Sequence, residues 1–324
     1  MSKYSDPLLD SIAERLSSND PGIRRVAVMD LVDSPEQAAV ELLLLALSDS
    51  DEMVRMEAAK VIDEFEPRDM MDALVGSLTS EDTNVKSAAA KALADLKDIH
   101  AVPALIAALT STDAFVIRAI LQALKQMRVK EAESHAIGYL DHPDAGVRRE
   151  AVGVLGYLQE PANIPQLTTV ALNDVDEEVR RAAVGALVYA SPEDVVDTLT
   201  TAIKDDNWLV RIEAIKGLGR LRISAASGVV IAATQDERWQ VQEKAAEAIG
   251  LLKAVDGIPA LAVCIDNPIS NLRKSAVAAL GEIAHPSGLV LVEKALEDND
   301  PDVRKLARWS QEQIEKSLMT GTGG

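Results

Sequence analysis

Large rings are scarce in this chain of 324 residues: two Phe, four Tyr and three Trp make up 3% of it. A core built round aromatic side chains is excluded, so the 48% of apolar residues must pack as Ala, Leu, Val and Ile at close helix–helix contacts. Cysteine occurs once, as Cys264, which excludes an internal disulfide framework and is compatible with a reducing compartment. Its place in the apolar run LAVCI predicts a buried structural thiol. No apolar run reaches membrane-spanning length; the longest, residues 38–47, is about half of what a bilayer requires and contains Glu41. The opening MSKYSDPLLD lacks a basic segment followed by an apolar one, so no signal peptide is expected and a cytoplasmic location is. Positive charge is in deficit, with 33 Lys and Arg against 52 Asp and Glu and a net charge of −19. Nucleic acid and anionic membranes would be repelled at long range, so neither nucleic-acid binding nor membrane insertion is expected, and any anion site must be local.

What the chain does contain is a repeat. An aliphatic residue, a usually basic one and a small one three further on recur at Ile23-Arg24-Ala27, Val54-Arg55-Ala58, Val85-Lys86-Ala89, Val116-Ile117-Ile120, Val147-Arg148-Ala151, Val179-Arg180-Ala183, Val210-Arg211-Ala214, Val241-Gln242-Ala245, Leu272-Arg273-Ala276 and Val303-Arg304-Ala307. The first members are 31 residues apart, except for one spacing of 32. A period of this size marks stacked supersecondary units, none of which buries its apolar face alone. Each unit reads as two helices. The first helices are expected near 6–17, 36–48, 68–79, 101–110, 131–140, 163–172, 192–203, 224–234, 257–265 and 287–296. The second begins at each motif, with apolar residues at offsets 0, +4, +5 and +8 forming one face.

Three residues before most motifs stands Asp or Asn, as at Asp20, Asp51, Asp82, Asp113, Asp144, Asp176, Asn207 and Asp300, in position to cap the second helix. Units eight and nine lack it, and Asp236 and Asn267-Pro268 are expected to start those helices about two residues earlier. Gly156, Gly219, Gly250 and Gly281 lie near the far ends of second helices, where a left-handed turn is expected.

The D-x-x-V-R-x-x-A-x-x-x-L units resemble HEAT repeats. The similarity is greatest to the short type in phycobilisome lyase subunits, the E-Z or PBS-lyase HEAT-like family, and it spans residues 6–317. The implied fold is all-α, a right-handed α-solenoid or superhelix of about ten two-helix repeats of 31 residues. It is expected to form one domain over residues 1–317, with 318–324 a disordered tail. The resemblance further implies that second helices line a concave surface. It also implies that recurrent Asp and Arg, here Asp51, Arg55, Asp144, Arg148, Asp176, Arg180 and Arg211, form a structural ladder between repeats. Members of such families are mostly scaffolds or adaptors. The implied function is therefore a non-enzymatic protein–protein interaction scaffold, an accessory factor for cofactor loading or complex assembly. The alternative is a subunit of a phycobilin lyase-like cofactor transferase.

Binding residues are sought outside the core stripe. Offsets +2, +6 and +10 fall on one line of the second helix. In unit five they are Arg149, Gly153 and Tyr157, and in unit six Arg181, Gly185 and Tyr189. Unit four adds Arg118 to the line. Glycine inside a helix costs about 1 kcal/mol relative to alanine, so two in register suggest a close approach to the backbone. An acidic, phosphorylated or cofactor-bearing segment of a partner protein would pair with the arginines. Trp208 and Trp239, each two residues before its motif, read as interface anchors or covers of an inter-repeat joint. Trp309 reads as an end cap or a dimer contact. No catalytic residue, metal site or cofactor is assigned: His100, His135, His142 and His285 lack ligand spacing, and neither a His-Glu pair nor a phosphate-binding loop occurs.

Overall fold

The computed structural model describes residues 7–33, 37–62, 67–95 and 99–321. The chain divides into two units, Met1–Leu158 and Gln159–Gly324. Unit one holds α1 (Pro7–Leu16), α2 (Pro21–Met29), α3 (Gln37–Ala46), α4 (Glu52–Ile62), α5 (Pro67–Ser77), α6 (Thr83–Asp95), α7 (Val102–Ala108), α8 (Ala114–Met127), α9 (Glu133–Gly138) and α10 (Ala145–Leu158). Unit two holds α11 (Ile164–Asn173), α12 (Glu177–Leu187), α13 (Pro192–Ala202), α14 (Trp208–Arg220), α15 (Ser227–Ala232), α16 (Trp239–Leu251), α17 (Ile258–Ile265), α18 (Ser270–Ile283), α19 (Leu289–Ala295) and α20 (Pro301–Gly321). The fold is all-α, and among the described residues the even-numbered helices are the second helices of ten helical hairpins. Most of the later first helices are entered through a short 3₁₀ turn, with Pro103, Pro165 and Pro259 in the opening turns of α7, α11 and α17, where a missing amide hydrogen is harmless.

The local chemistry that starts the second helices is repeated. Asp20 Oδ1 accepts from Gly22 N–H at 2.8 Å, Asp113 Oδ1 from Phe115 N–H at 2.7 Å, and Asn207 Oδ1 from Leu209 N–H at 2.8 Å. Each cap contributes about 1 kcal/mol. Units eight and nine differ from expectation. Their helices begin at Trp239 and Ser270, in the register of the others, after Arg238 and Ile269, which make no side-chain cap bond. Asp236 does not start its helix early, because its carboxylate is held by Arg211.

The core runs along the second helices, which pack on one another within each unit: α2 on α4, α6 on α8 and α8 on α10 in unit one, and α12 on α14, α14 on α16, α16 on α18 and α18 on α20 in unit two. Leu31, Leu93, Leu124, Leu155, Leu187, Leu218, Ile249 and Leu280, all at offset +8, are fully or almost fully buried. In unit two of the repeats the stripe is rotated: Ala59 at offset +5 is exposed and Glu57 and Val61 are buried instead. In α20 the buried place passes from Gln311 to Ile314. This helix runs to Gly321, so residues 318–321 of the stretch read as a tail continue it.

The helix-end glycines do something other than turn the chain. Among the described residues no glycine has a positive φ. A Cβ on Gly219 would stand 3.2 Å from Ala248 Cα, one on Gly250 2.9 Å from Ala279 Cα, and one on Gly281 2.9 Å from Ser310 Cα. Each glycine lets the next second helix approach backbone to backbone, which is how a core without rings reaches close packing. The left-handed residues lie three positions later, at Arg222, Lys253 and Ala284, with φ of 52, 51 and 53°.

Candidate functional site

The repeated arginine works as a clamp between repeats. Arg180 Nε and Nη2 donate to Asp205 Oδ2 and Oδ1 at 2.7 and 2.9 Å, while its Nη1 reaches back to Asp174 O at 2.8 Å. Arg211 repeats the arrangement, with Asp236 at 2.8 and 2.9 Å and Asp205 O at 2.9 Å. Arg24 with Asp49 and Arg273 with Asp298 form equivalent bidentate pairs. Each guanidinium thus ties its own inter-helix loop to that of the next repeat. The carboxylate is in turn fixed by a backbone amide two residues on, as Asp205 Oδ1 is by Asn207 N–H at 2.8 Å.

The aspartates of this ladder differ from those expected. Asp51, Asp144 and Asp176 bond the first-turn amides of their own helices: Met53 and Val54, Val147, and Glu178 and Val179. The carboxylate that meets the arginine is the one two residues earlier, at Asp49, Asp205, Asp236 and Asp298. Arg55 and Arg148 make the backward bonds, to Asp49 O and Ser50 O and to His142 O and Pro143 O. In unit eight Gln242 replaces the arginine and keeps only the backward bond, Nε2 to Asp236 O at 2.6 Å, and the next repeat has the neutral Asn267 where an Asp would stand. His142 occupies the same place in its loop and accepts Asp144 N–H at Nδ1.

Hydrogen bonds from Arg24 and Arg273 hold the Asp49 and Asp298 carboxyls below the ordinary carboxylate range. Burial would raise Asp205, but Arg180 and the Asn207 amide more than offset it and its pKa is also lowered. Cys264 is 3% exposed, and desolvation pushes its thiol up to about 11. It is a packed thiol and not a nucleophile. Among the described residues no three His, Cys, Asp or Glu side chains stand close enough to share a metal ion, and no helix is long and apolar enough to cross a membrane.

The face outside the ladder carries the arginine and tyrosine series. In unit one Arg118 stands 4.0 Å from Asp144 Oδ1, and Arg149, half exposed, 3.8 Å from Glu150 Oε1. Gly153 lies under the stem of Lys125, whose Cδ would be 2.9 Å from an added Cβ and whose Nζ continues to Glu150 Oε2 at 2.7 Å. Tyr157, 42% exposed, has the Arg128 guanidinium 5.2 Å from its ring centroid. In unit two Arg181 is bound by Glu178 one turn back, and Gly185 has Glu213 about its open side, 3.7 Å from an added Cβ. Tyr189, 54% exposed, lies 4.6 Å from the Arg220 guanidinium. The glycines therefore already have a neighbour, a long charged side chain of the adjacent helix, whereas the tyrosines show an open face. Trp208 and Trp239 are half-buried at the first positions of α14 and α16. Trp309 is 37% exposed with its ring against α18 at Gly281.

These features can be set beside known proteins. The HEAT repeats family matches at residues 9–94, 57–125, 102–188, 164–229 and 226–311. A search of curated proteins gives no match. Among solved structures, a chain of the complex in which Kap95p binding switches the loops of RanGDP is 17% identical, with a TM-score of 0.61 over 96% of this chain and 49% of that one. This chain thus spans about half of that neighbour, and the similarity is one of fold. An engineered protein aligns at 22% identity and a TM-score of 0.49 over 96% and 99% of the two chains. Human deoxyhypusine hydroxylase in complex with glycerol aligns at 19% and 0.34 over 76% and 96%.

Proposed function

Because the chain belongs to the HEAT-repeat family, we propose that it is a non-enzymatic protein-binding array that acts as an adaptor in assembling a complex. The observation that carries this reading is the pair of exposed tyrosines with arginines against their rings, Tyr157 with Arg128 in unit one and Tyr189 with Arg220 in unit two. A tyrosine with one face held by a cation and the other open supplies rigid apolar area and a hydroxyl to a partner at little cost in rotamer entropy. Arg118 and Arg149 in unit one, and Arg181 in unit two, add donors for carboxylates. Their present partners are weak or local, since Arg149 has its carboxylate only at 3.8 Å and Arg181 pairs within its own helix. Exchange of such pairs for a partner's carboxylates is inexpensive.

The test is capture of native partners by the full chain beside an Arg149→Glu, Arg181→Glu variant, with binding quantified for each protein recovered. A partner held by the wild type and lost from a variant of unchanged thermal stability supports the reading. Identical recoveries from the two would sink it.

A further inference from the structure

Unit two carries a second cationic feature, at the far ends of its second helices. α14 closes with Ile223 N–H donating to Leu218 O at 3.1 Å and Arg222 N–H to Gly219 O at 3.1 Å, and Ile223 is buried as the apolar plug of the turn. α16 closes in the same way, with Ala254 N–H donating to Ile249 O at 3.1 Å and Lys253 N–H to Gly250 O at 2.9 Å. This turn demands a left-handed residue, and glycine takes that conformation without the clash that a Cβ brings. Here it is taken by Arg222 at φ 52° and Lys253 at φ 51°. A cation near a helix C-terminus gains from the dipole, but an exposed one gains less than the left-handed conformation costs. Nor does the turn need a cation: Gln159 and Ala284, also in unit two, adopt φ of 56 and 53°.

Neither the turn nor the helix dipole therefore selects a cation at these two positions. Arg222 and Lys253 are exposed, and among the described residues no carboxylate lies within ion-pair distance of Arg220, Arg222 or Lys253. Elsewhere in this unit Arg180, Arg211, Lys216, Lys244 and Arg273 each find a carboxylate. Apolar surface flanks them. Tyr189, Arg220 and Leu251 occupy offset +10 of three successive second helices; Tyr189 is 54% and Leu251 43% exposed, and Leu251 Cδ1 lies against Gly219.

We infer that this edge, Tyr189, Arg220, Arg222, Leu251 and Lys253, binds an acidic peptide segment of a partner protein. Carboxylates on the segment pair with the two arginines and the lysine, and an apolar residue of the segment lies on Tyr189 and Leu251. The inference rests on the protein-binding reading above, shares Tyr189 and Arg220 with it and adds Arg222, Leu251 and Lys253, the residues that the test below addresses.

The test is fluorescence anisotropy of a labelled ten-residue oligo-glutamate peptide containing one Trp, titrated with the full chain. The wild type binds at low salt and weakens as salt rises, and an oligo-glutamine counterpart does not bind. In an Arg222→Gly, Lys253→Gly variant, affinity falls by roughly tenfold or more, as expected for two lost charge pairs. The melting midpoint stays the same or rises, because glycine suits the turn. Arg222→Lys, which keeps the charge, stays within about threefold of wild type. Equal affinity in the double glycine variant, equal affinity for oligo-glutamine, or displacement of the peptide by a short RNA at lower concentration would overturn the inference. If the glycine variant keeps the peptide while Arg149→Glu, Arg181→Glu loses a native partner, the edge assignment fails and the adaptor reading stands. The opposite pattern separates them the other way.

Discussion

Arg211 permits a strict test of the clamp between repeats. Its side chain is 10% exposed, and it makes two bonds forward to Asp236 and backward bonds to Asp205 O and Asp206 O. Arg211→Gln should keep a backward bond, since Gln242 does so at the equivalent place one repeat later with 2.6 Å geometry. What is lost is the forward pair, leaving the Asp236 carboxylate, 13% exposed, with only the Arg238 amide. Two charge-assisted bonds and an uncompensated, largely buried charge amount to about 2–3 kcal/mol of lost stability. Asp236→Asn alone should cost about 2 kcal/mol, because it strands the guanidinium. The double variant reproduces the neutral Gln242 and Asn267 combination, and Asn267 Oδ1 still accepts its amide, from Ile269 at 3.0 Å. It should lose only about 1 kcal/mol, for a coupling of about 3–4 kcal/mol. The assay is urea unfolding followed by helical circular dichroism for the wild type and the three variants. A single-variant loss below about 0.5 kcal/mol, or a double-variant loss equal to the sum of the singles, would refute the argument.

Three further outcomes follow from the same structure. The ladder carboxyls Asp49, Asp205 and Asp298 have folded pKa values below their unfolded ones. Their contribution is therefore present above about pH 4 and is lost as pH falls through the folded values; the urea midpoint should fall between pH 5 and 3, and a flat profile would contradict the ladder. Gly250→Ala should destabilise by about 1–3 kcal/mol despite better helix propensity, because its Cβ meets Ala279 Cα at 2.9 Å, whereas Gly138→Ala, with open space, should be neutral or gain up to about 1 kcal/mol in thermal melts. Cys264, with its thiol at about 11, should resist a thiol-reactive dye at pH 7.5 in the native chain and react on unfolding; rapid native labelling would show that its packing is misread.

The sequence carried the architecture because a 31-residue period and the Asp or Asn before each second helix are local signals. Asp113 and Asn207 cap as their spacing requires, and the offset +8 stripe is buried nearly throughout. The ladder was legible only in part. Two aspartates stand two residues apart in the same loop, as Asp49 and Asp51 do, and spacing alone cannot say which one faces its own helix and which the previous repeat. Gly219, Gly250 and Gly281 misled for a related reason: one or two residues from a helix end, a glycine serves a turn or a close approach, and only the position of Ala248, Ala279 and Ser310 decides. The glycines at 153 and 185 likewise carry neighbouring side chains, Lys125 and Glu213. Arg222 and Lys253 gave no sequence signal, because nothing in a helical pattern marks a cation as left-handed.

In the proposed function the second-helix surface receives the partner. The most direct measurement is photo-crosslinking of the bound complex from a reactive residue placed at Tyr189, compared with one at Val290 on the first helix α19, which is 73% exposed. Crosslinks are expected from position 189, abolished by the Arg149→Glu, Arg181→Glu substitutions, and none from 290. Crosslinks from 290 with none from 189 would contradict it.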